Sequence, residues 1–224
     1  MTPPYYPRSA EARLRAALDA YPVAVLTGPR QAGKSTLLRH ALPGWPLLSL
    51  EDPDVREFAE HDPRGFLQRH AAPLILDEAQ RVPALFSYLQ GRVDADGTMG
   101  RYVLSGSQQF ALLAGITQSL AGRAALIELY PLRLRELADA GKRPASLDRL
   151  LHAGGYPAVY ARGHVARPDA VAAYYAAYVQ TYLERDVRAL SAVHNLGTFQ
   201  RFLRLAAART GQLLHLNALA NDCG

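Results

Sequence analysis

The chain has 224 residues, 49% of them hydrophobic and 20% charged, and this balance excludes wholesale disorder. The formal net charge of +5 permits a nucleic-acid partner without requiring one. A single cysteine, Cys223, excludes an intrachain disulfide and a cysteine-based zinc site. No apolar run reaches the roughly 18 residues of a membrane span, and the first residues do not resemble a secretory signal. We therefore expect a cytoplasmic protein that does not enter a membrane.

The first part of the chain alternates short apolar runs with helical patterns. Continuous apolar runs of this kind are typical of parallel strands that are buried on both faces. The sequence therefore predicts an α/β fold with a parallel sheet flanked by helices. The predicted strands cover residues 23–27, 47–50, 74–76, 102–105 and 124–129, and the predicted helices cover residues 11–20, 33–40, 53–60, 63–70 and 84–94.

After Pro131 the pattern changes, and no further strand is evident in the sequence. Apolar residues at helical spacing predict helices near 132–139, 146–153 and 169–190, and another that begins at Leu196. We therefore predict two domains, an α/β domain over residues 1–135 and an all-helical region over residues 136–224.

Gly28-Pro-Arg-Gln-Ala-Gly-Lys-Ser35 matches the phosphate-loop pattern G-x-x-x-x-G-K-S/T in full and lies between a predicted strand and a predicted helix. In such a loop the backbone N–H groups and the helix N-terminus bind phosphate oxygens, while Lys34 reaches the β- and γ-phosphates. The chain has only two lysines, Lys34 and Lys142, and one stands where the pattern requires it. Without a ligand we expect the Lys34 side chain to face solvent. The predicted ATP-binding residues are Gly28, Arg30, Gln31, Ala32, Gly33, Lys34, Ser35 and Thr36.

A second motif, Leu74-Ile-Leu-Asp77-Glu78, consists of the third predicted strand and the two acidic residues that follow it. An apolar strand that ends in Asp places a carboxylate at the carboxyl edge of the sheet, beside the phosphate loop. The sequence therefore predicts that Ser35 and Asp77 bind Mg²⁺, and that Glu78 accepts a proton from an attacking water.

Two further residues have less specific signals. The segment Leu104-Ser-Gly-Ser-Gln108 ends the fourth predicted strand, where a polar group could contact the γ-phosphate; we select Ser107, with Ser105 and Gln108 as alternatives. Arg123 precedes the fifth predicted strand. It could stabilise γ-phosphate charge in its own subunit or in a neighbour, and a plain surface arginine is an equal alternative. The predicted catalytic residues are Glu78, Lys34, Ser107 and Arg123.

These motifs occur in one chain together with Ser119-Leu-Ala-Gly-Arg123, Leu129-Tyr-Pro-Leu132, Gly154-Gly-Tyr-Pro-Ala158 and Tyr182-Leu-Glu-Arg-Asp-Val187. As an ordered set they resemble the prokaryotic AAA-type ATP-binding proteins that carry a DUF4143 C-terminal region. The resemblance covers most of residues 20–220. It implies an AAA-like ATPase core with the catalytic glutamate on the sheet, followed by a helical region, and it implies that relatives continue beyond residue 224.

Other nucleotide chemistries fit less well. A GTPase would need an Asn-Lys-x-Asp element, which lysines at positions 34 and 142 alone cannot supply. A two-core helicase needs a second core domain, for which 224 residues leave no space. A small-molecule kinase is disfavoured because Glu78 directly after Asp77 favours water as the phosphoryl acceptor. An ATP-binding switch or DNA-associated module without significant turnover stays open as the alternative.

The C-terminal part resembles the first half of a helix-turn-helix unit, with a helix to Thr210, a break at Gly211 and a helix that opens at Leu216. A plain helical hairpin is an equal alternative. Residues 136–224 carry 10 basic and 7 acidic residues, a small excess. We therefore expect a fragment that binds duplex DNA weakly and without sequence preference. The oligomeric state is left open.

Overall fold

The computed structural model describes residues 4–107, 109–182 and 195–223. Five strands form one parallel sheet in the order β2-β3-β4-β1-β5. Strand β4 therefore lies between β1 and β3, and the carboxyl ends of these three strands meet at one edge. The strands are β1 Val23–Thr27, β2 Leu47–Ser49, β3 Leu74–Asp77, β4 Tyr102–Gly106 and β5 Ala124–Glu128.

Twelve α-helices are present in the described ranges. The helices around the sheet are α1 Ala10–Ala20, α2 Lys34–Ala41, α3 Pro53–His61, α4 Pro63–Arg69, α5 Ala84–Asp96 and α6 Gln109–Ser119. The later helices are α7 Leu134–Asp139, α8 Leu147–Ala153, α9 Pro157–Ala161, α10 Pro168–Tyr182, α11 Leu196–Ala208 and α12 Leu216–Cys223. Short 3-10 turns occupy Ala79–Arg81 and His164–Ala166.

The central strands are buried along their whole length because helices cover both faces of the sheet. In β1 the side chains of Val23 and Val25 join one apolar cluster, while Ala24 and Leu26 join the other. This alternation follows from the two-residue period of a strand. It explains why β1 reads as a continuous apolar run: neither of its faces meets water.

The predicted α/β fold class is confirmed, and all five predicted strands are present. The predicted helices at Pro53 and Pro63 are also present. Each begins with proline in its first turn and is capped by the preceding aspartate, since Asp52 accepts from the N–H of Asp54 and Asp62 from that of Gly65.

One helix was missed by the sequence prediction, and one predicted helix is described only in part. Helix α6 was not predicted, because its sequence is apolar on most sides and lacks the polar stripe that marks an amphipathic helix. The long helix predicted over 169–190 is present as α10 up to Tyr182. The remainder, with the Glu184–Asp186 segment, lies outside the described residues.

The chain divides into two compact units, one up to Ala166 and one from Arg167. The first contains the sheet and α1–α9, and the second contains α10–α12. The domain boundary near residue 135 stays a prediction. Within the described ranges, no helix combines the length and the apolar character needed to cross a membrane.

Candidate nucleotide site

The loop between β1 and α2 has the backbone of a phosphate-binding loop. Three of its residues have positive φ angles, Gly28 at 146°, Gln31 at 60° and Gly33 at 96°. Glycine adopts such angles readily, whereas Gln31 adopts them at a cost. Gly33 immediately precedes α2, so the loop ends at a helix N-terminus, where N–H groups favour an anion.

The first glycine is also required by close packing. A Cβ on Gly28 would lie 2.2 Å from the carbonyl oxygen of Leu129. The N–H of Leu129 in turn donates to Thr27 O at 2.8 Å, so the β1–β5 pairing continues up to the start of the loop. The loop therefore begins at a fixed position against the end of β5.

Lys34 differs from the sequence-based expectation. We expected its side chain to face solvent, but Lys34 is only 7% exposed. Its Nζ donates to the carbonyl oxygens of Gly28 at 2.9 Å and Pro29 at 3.0 Å. A buried ammonium needs acceptors, and the carbonyls of its own loop supply them. The ammonium is thus already at the loop where phosphates would bind.

Ser35 and Asp77 are brought together as predicted. The Ser35 hydroxyl donates to Asp77 Oδ2 at 2.6 Å, and the Ser105 hydroxyl at the end of β4 donates to Oδ1. Asp77 is buried at the carboxyl end of β3. Its carboxylate therefore joins the first turn of α2 to the ends of β3 and β4.

Glu78 has a left-handed backbone conformation, with φ 55° and ψ 42°, directly after β3. Its Oε2 accepts from Gln80 Nε2 at 2.5 Å and from the Ser107 hydroxyl at 3.2 Å. Gln80 is itself held against Gly106, where an added Cβ would lie 2.1 Å from its Oε1. Glu78, Gln80 and Ser107 therefore form one polar group at the carboxyl edge of the sheet.

The other predicted loop residues differ in their burial. Ala32 is fully buried, Arg30 is half-buried, and Gln31 and Thr36 are exposed. The Thr36 carbonyl interacts with Nδ1 of His40 one turn further along α2, at 2.9 Å. Gln108, the alternative γ-phosphate contact, lies outside the described residues.

Arg123 lies at the opposite edge of the sheet from the other predicted site residues. It immediately precedes β5, and its carbonyl accepts from Val23 at the start of β1. The guanidinium pairs with Asp94, with Nη2 to Oδ2 at 2.9 Å. The hydrogen bonds between the two side chains, together with their opposite charges, lower the pKa of Asp94 and raise that of Arg123. The structure does not bring Arg123 to the phosphate loop of its own chain.

Sequence reasoning missed one group beside the loop, the Arg8–Glu136 ion pair. Arg8 is buried, and its Nε donates to Glu136 Oε2 at 3.0 Å. Its Nη1 donates to the carbonyl of Ala32 at 2.8 Å, and its Nη2 donates to the carbonyl of Tyr130. No local motif marks either residue, because the two are 128 positions apart in the sequence.

The Glu136 carboxylate is extensively hydrogen-bonded. It accepts from the Arg133 N–H at 3.0 Å, the Ser9 N–H at 2.8 Å and the Ser9 hydroxyl at 2.9 Å. Burial alone would raise the pKa of Glu136, but these hydrogen bonds and the charge of Arg8 outweigh it and hold the pKa below its ordinary value. Glu136 is therefore an ionised, fully engaged carboxylate at the start of α7.

The parallel sheet, the loop ending at a helix and the acids on the adjacent strands define a P-loop protein of the ATPase class. The fold is similar to that of the Walker-type ATPase of Pyrococcus abyssi, with a TM-score of 0.61 and 17% identity, over 97% of this chain and 89% of that one.

Residues 20–138 match the AAA domain family, and the chain belongs to that family. Residues 144–224 match a domain of unknown function, DUF8612, where the resemblance implied DUF4143. The chain is 37% identical over 219 residues to uncharacterized proteins of Mycobacterium tuberculosis and Mycobacterium bovis. These matches cover 96% of this chain but 47% of each relative, so the chain spans about half the length of the curated relatives it matches.

Proposed function

We propose that this chain binds ATP with Mg²⁺ and hydrolyses it. The observation that carries the proposal is the pair of neighbouring carboxylates at the carboxyl end of β3, Asp77 and Glu78, which have different surroundings. Asp77 is engaged by the hydroxyl of Ser35 on the phosphate-loop helix, whereas Glu78 points to the polar group of Gln80 and Ser107. One carboxylate is suited to hold a metal ion and the other to act as a base.

The Ser35 and Asp77 oxygens fit a magnesium ion. Mg²⁺ prefers hard oxygen ligands and keeps several waters, so one hydroxyl and one carboxylate from the protein are sufficient. The Ser35 Oγ and Asp77 Oδ2 atoms lie 2.6 Å apart, which places two such ligands at one point beside the loop. When bound there, the ion would neutralise phosphate charge.

The remaining groups have roles that follow from their positions. The loop N–H groups and Lys34 bind the β- and γ-phosphates, and the ammonium exchanges its carbonyl partners for phosphate oxygens. Glu78 accepts a proton from the water whose oxygen attacks the γ-phosphorus, while the bond to the bridging oxygen breaks and ADP leaves. Both donors to Glu78 use Oε2. We therefore assign Oε1 as the atom that accepts the proton from water. We assign Ser107 and Gln80 the role of orienting this carboxylate.

Substitution of Glu78 separates hydrolysis from binding. Glu78→Gln keeps the size of the side chain but removes the base, so ATP binding should persist while phosphate release falls at least about a hundredfold. Glu60→Gln on the exposed face of α3 is the matched control and should hydrolyse ATP at the wild-type rate. Equal phosphate release by Glu78→Gln and wild type would refute the assignment of the base.

The same measurements test the metal site and the alternative function. Asp77→Asn should weaken ATP binding in the presence of Mg²⁺ and leave binding in EDTA unchanged, with exposed Asp19→Asn as the control. ATP binding without phosphate release by the wild type would instead indicate the ATP-dependent switch.

A further inference from the structure

We infer that Arg8 is a positioning residue for ATP binding, which holds the phosphate loop in its binding conformation through the carbonyl of Ala32. This inference rests on the proposed function. Arg8 lies before α1 and 15 positions ahead of Val23, the first residue of β1. It is not part of the phosphate-loop pattern. Its guanidinium connects three separate segments of the chain, through two backbone carbonyls and one side-chain carboxylate, all in the first compact unit.

The contact with the loop is direct. Arg8 Nη1 lies 2.8 Å from Ala32 O, and a Cβ on Gly33 would lie 3.6 Å from the same nitrogen. The guanidinium therefore packs against the Ala32–Gly33 peptide, which leads into Gly33, the residue immediately before α2. This is the part of the loop where the backbone has to change from a positive φ to helix.

The direction of this contact matters for phosphate binding. The Ala32–Gly33 peptide is planar and trans, so its C=O and its N–H point in opposite directions. An arginine that holds the carbonyl on one side directs the Gly33 N–H to the other side. We assign that N–H to a phosphate oxygen, because loops of this kind bind phosphate through their N–H groups.

The rest of the Arg8 side chain is fixed by groups that do not touch the loop. Nε donates to Glu136, and Nη2 donates to Tyr130 O beyond the end of β5. Glu136 is in turn held by Ser9 and Arg133. The planar guanidinium meets all three acceptors at once with donors of fixed geometry, whereas an ammonium is a point charge on a flexible stem. Arg8→Lys should therefore keep the ion pair with Glu136 and lose the hold on the loop.

The test measures ATP and ADP affinity by calorimetry, and the KM and kcat of ATP hydrolysis, in the full chain. Arg8→Gln and Arg8→Lys should each weaken binding of both nucleotides at least about tenfold, the loss of one well-placed hydrogen bond to a charged group. KM should rise by a similar factor while kcat changes less than about twofold, because the lost interaction acts equally in the ground state and the transition state. Glu136→Gln should change KM in the same direction.

Arg101→Gln is the matched control, since Arg101 is also ion-paired with a carboxylate, that of Asp96, but stands before β4 at the far edge of the sheet. A role in folding alone would lower the active fraction, and therefore kcat, with KM and affinity unchanged, which would overturn the inference. If Arg8→Gln does not fold, Arg8→Lys provides the same readouts. If the wild type binds ATP and Arg8→Lys binds it with the same affinity, this inference alone is overturned. No ATP binding by wild type overturns the proposed function.

Discussion

In the proposed site, Lys34 is preorganised before its ligand arrives. Its ammonium is buried and bonded to the carbonyls of Gly28 and Pro29. Binding a phosphate then requires only a short movement of Nζ from carbonyl to phosphate oxygens, with little loss of side-chain freedom. The contribution of Lys34 should therefore appear mainly as nucleotide affinity, and the apo protein should lose some stability when those carbonyls lose their donor.

Lys34→Ala should remove the protection that ATP gives against thermal unfolding. At a ligand concentration of 100 times Kd, that protection amounts to about 2.7 kcal/mol in the wild type. The measurement is the shift in unfolding midpoint on addition of ATP and Mg²⁺. Lys142→Ala is the control, since Lys142 is exposed and is the only other lysine in the chain. A full ATP-dependent shift in Lys34→Ala would contradict the site.

Glu136 should make the protein sensitive to acid. Its pKa is lower in the folded state than its ordinary value of 4.5, so the unfolded chain binds more protons below that pH. Its contribution is therefore complete above about pH 4.5 and is lost as the pH falls through the lower, folded pKa. Glu136→Gln should cost roughly 3–5 kcal/mol at neutral pH, since it leaves the buried Arg8 without its carboxylate.

The measurement for Glu136 is the free energy of unfolding by urea between pH 3 and pH 7. The Glu136→Gln curve should be flatter than the wild-type curve below about pH 4.5, whereas Glu60→Gln should follow the wild type. Parallel curves for Glu136→Gln and wild type would show that the carboxylate is not held in its ionised form.

The site residues that the sequence predicted are those with a local signal. Gly28 to Ser35 and Asp77-Glu78 are contiguous patterns, and the structure brings Ser35, Asp77, Glu78 and Ser107 to one edge of the sheet. Arg8 and Glu136 lie outside any such pattern, and only the fold brings them together. The burial of Lys34 was likewise not predictable, because it depends on the path of the loop around it.

At the scale of the elements, the site depends on where strands end. β1, β3 and β4 end in the loop, in Asp77-Glu78 and in Gly106-Ser107, and because they are parallel and adjacent these ends meet. Gly28 is closely packed at this junction, since the backbone carbonyl of Leu129 occupies the space a side chain would need.

Gly28→Ala should lower the free energy of unfolding by more than Gly44→Ala does. Both glycines have positive φ angles, 146° and 86°, so both substitutions carry a conformational cost of about 1–3 kcal/mol. Nothing lies within 4 Å of a Cβ on Gly44, whereas Gly28→Ala forces the loop away from β5. The difference between the two, measured by urea unfolding, isolates the clash. Equal losses would show that the loop start is free to move.

The fold was predictable wherever the sequence pattern is simple. The five strands were visible as apolar runs between turn residues, and Pro53 and Pro63 marked the starts of α3 and α4. Helix α6 lacks a polar face, so its apolar residues had no period to detect. The order of the strands was not predictable from these patterns, since each pattern identifies a strand and not its neighbour.

At the scale of the whole molecule, Arg123 raises the question of assembly. Five strand residues separate it from the carboxyl end of β5, roughly 16 Å at the rise of a parallel strand. Its exposed ion pair with Asp94 is of a kind that costs little to break. This distance disfavours contact between Arg123 and the phosphates of its own chain, and a role at the phosphate of a neighbouring subunit stays a prediction.

If Arg123 acts in a neighbour, the ATPase rate per protomer should rise with protein concentration, and Arg123→Ala should remove most of that rise. At high concentration the variant should be at least about tenfold slower, a modest part of what such an arginine contributes in other NTPases. Arg101→Ala is the control, because Arg101 stands at the same edge and is also ion-paired. A wild-type rate that does not depend on concentration would contradict a role between subunits.

The strand order also has a consequence for how the protein forms during synthesis. The phosphate-loop strand comes first in the sequence, but Val23 pairs with Tyr102 on one side and with Ala124 on the other. When the loop leaves the ribosome, neither neighbour of its strand has been made, and about a hundred more residues must follow. Such distant pairings are slow to form. We therefore expect the proposed nucleotide site to be assembled late, together with the completion of the sheet, so that a nascent chain that ends before β5 does not yet contain it.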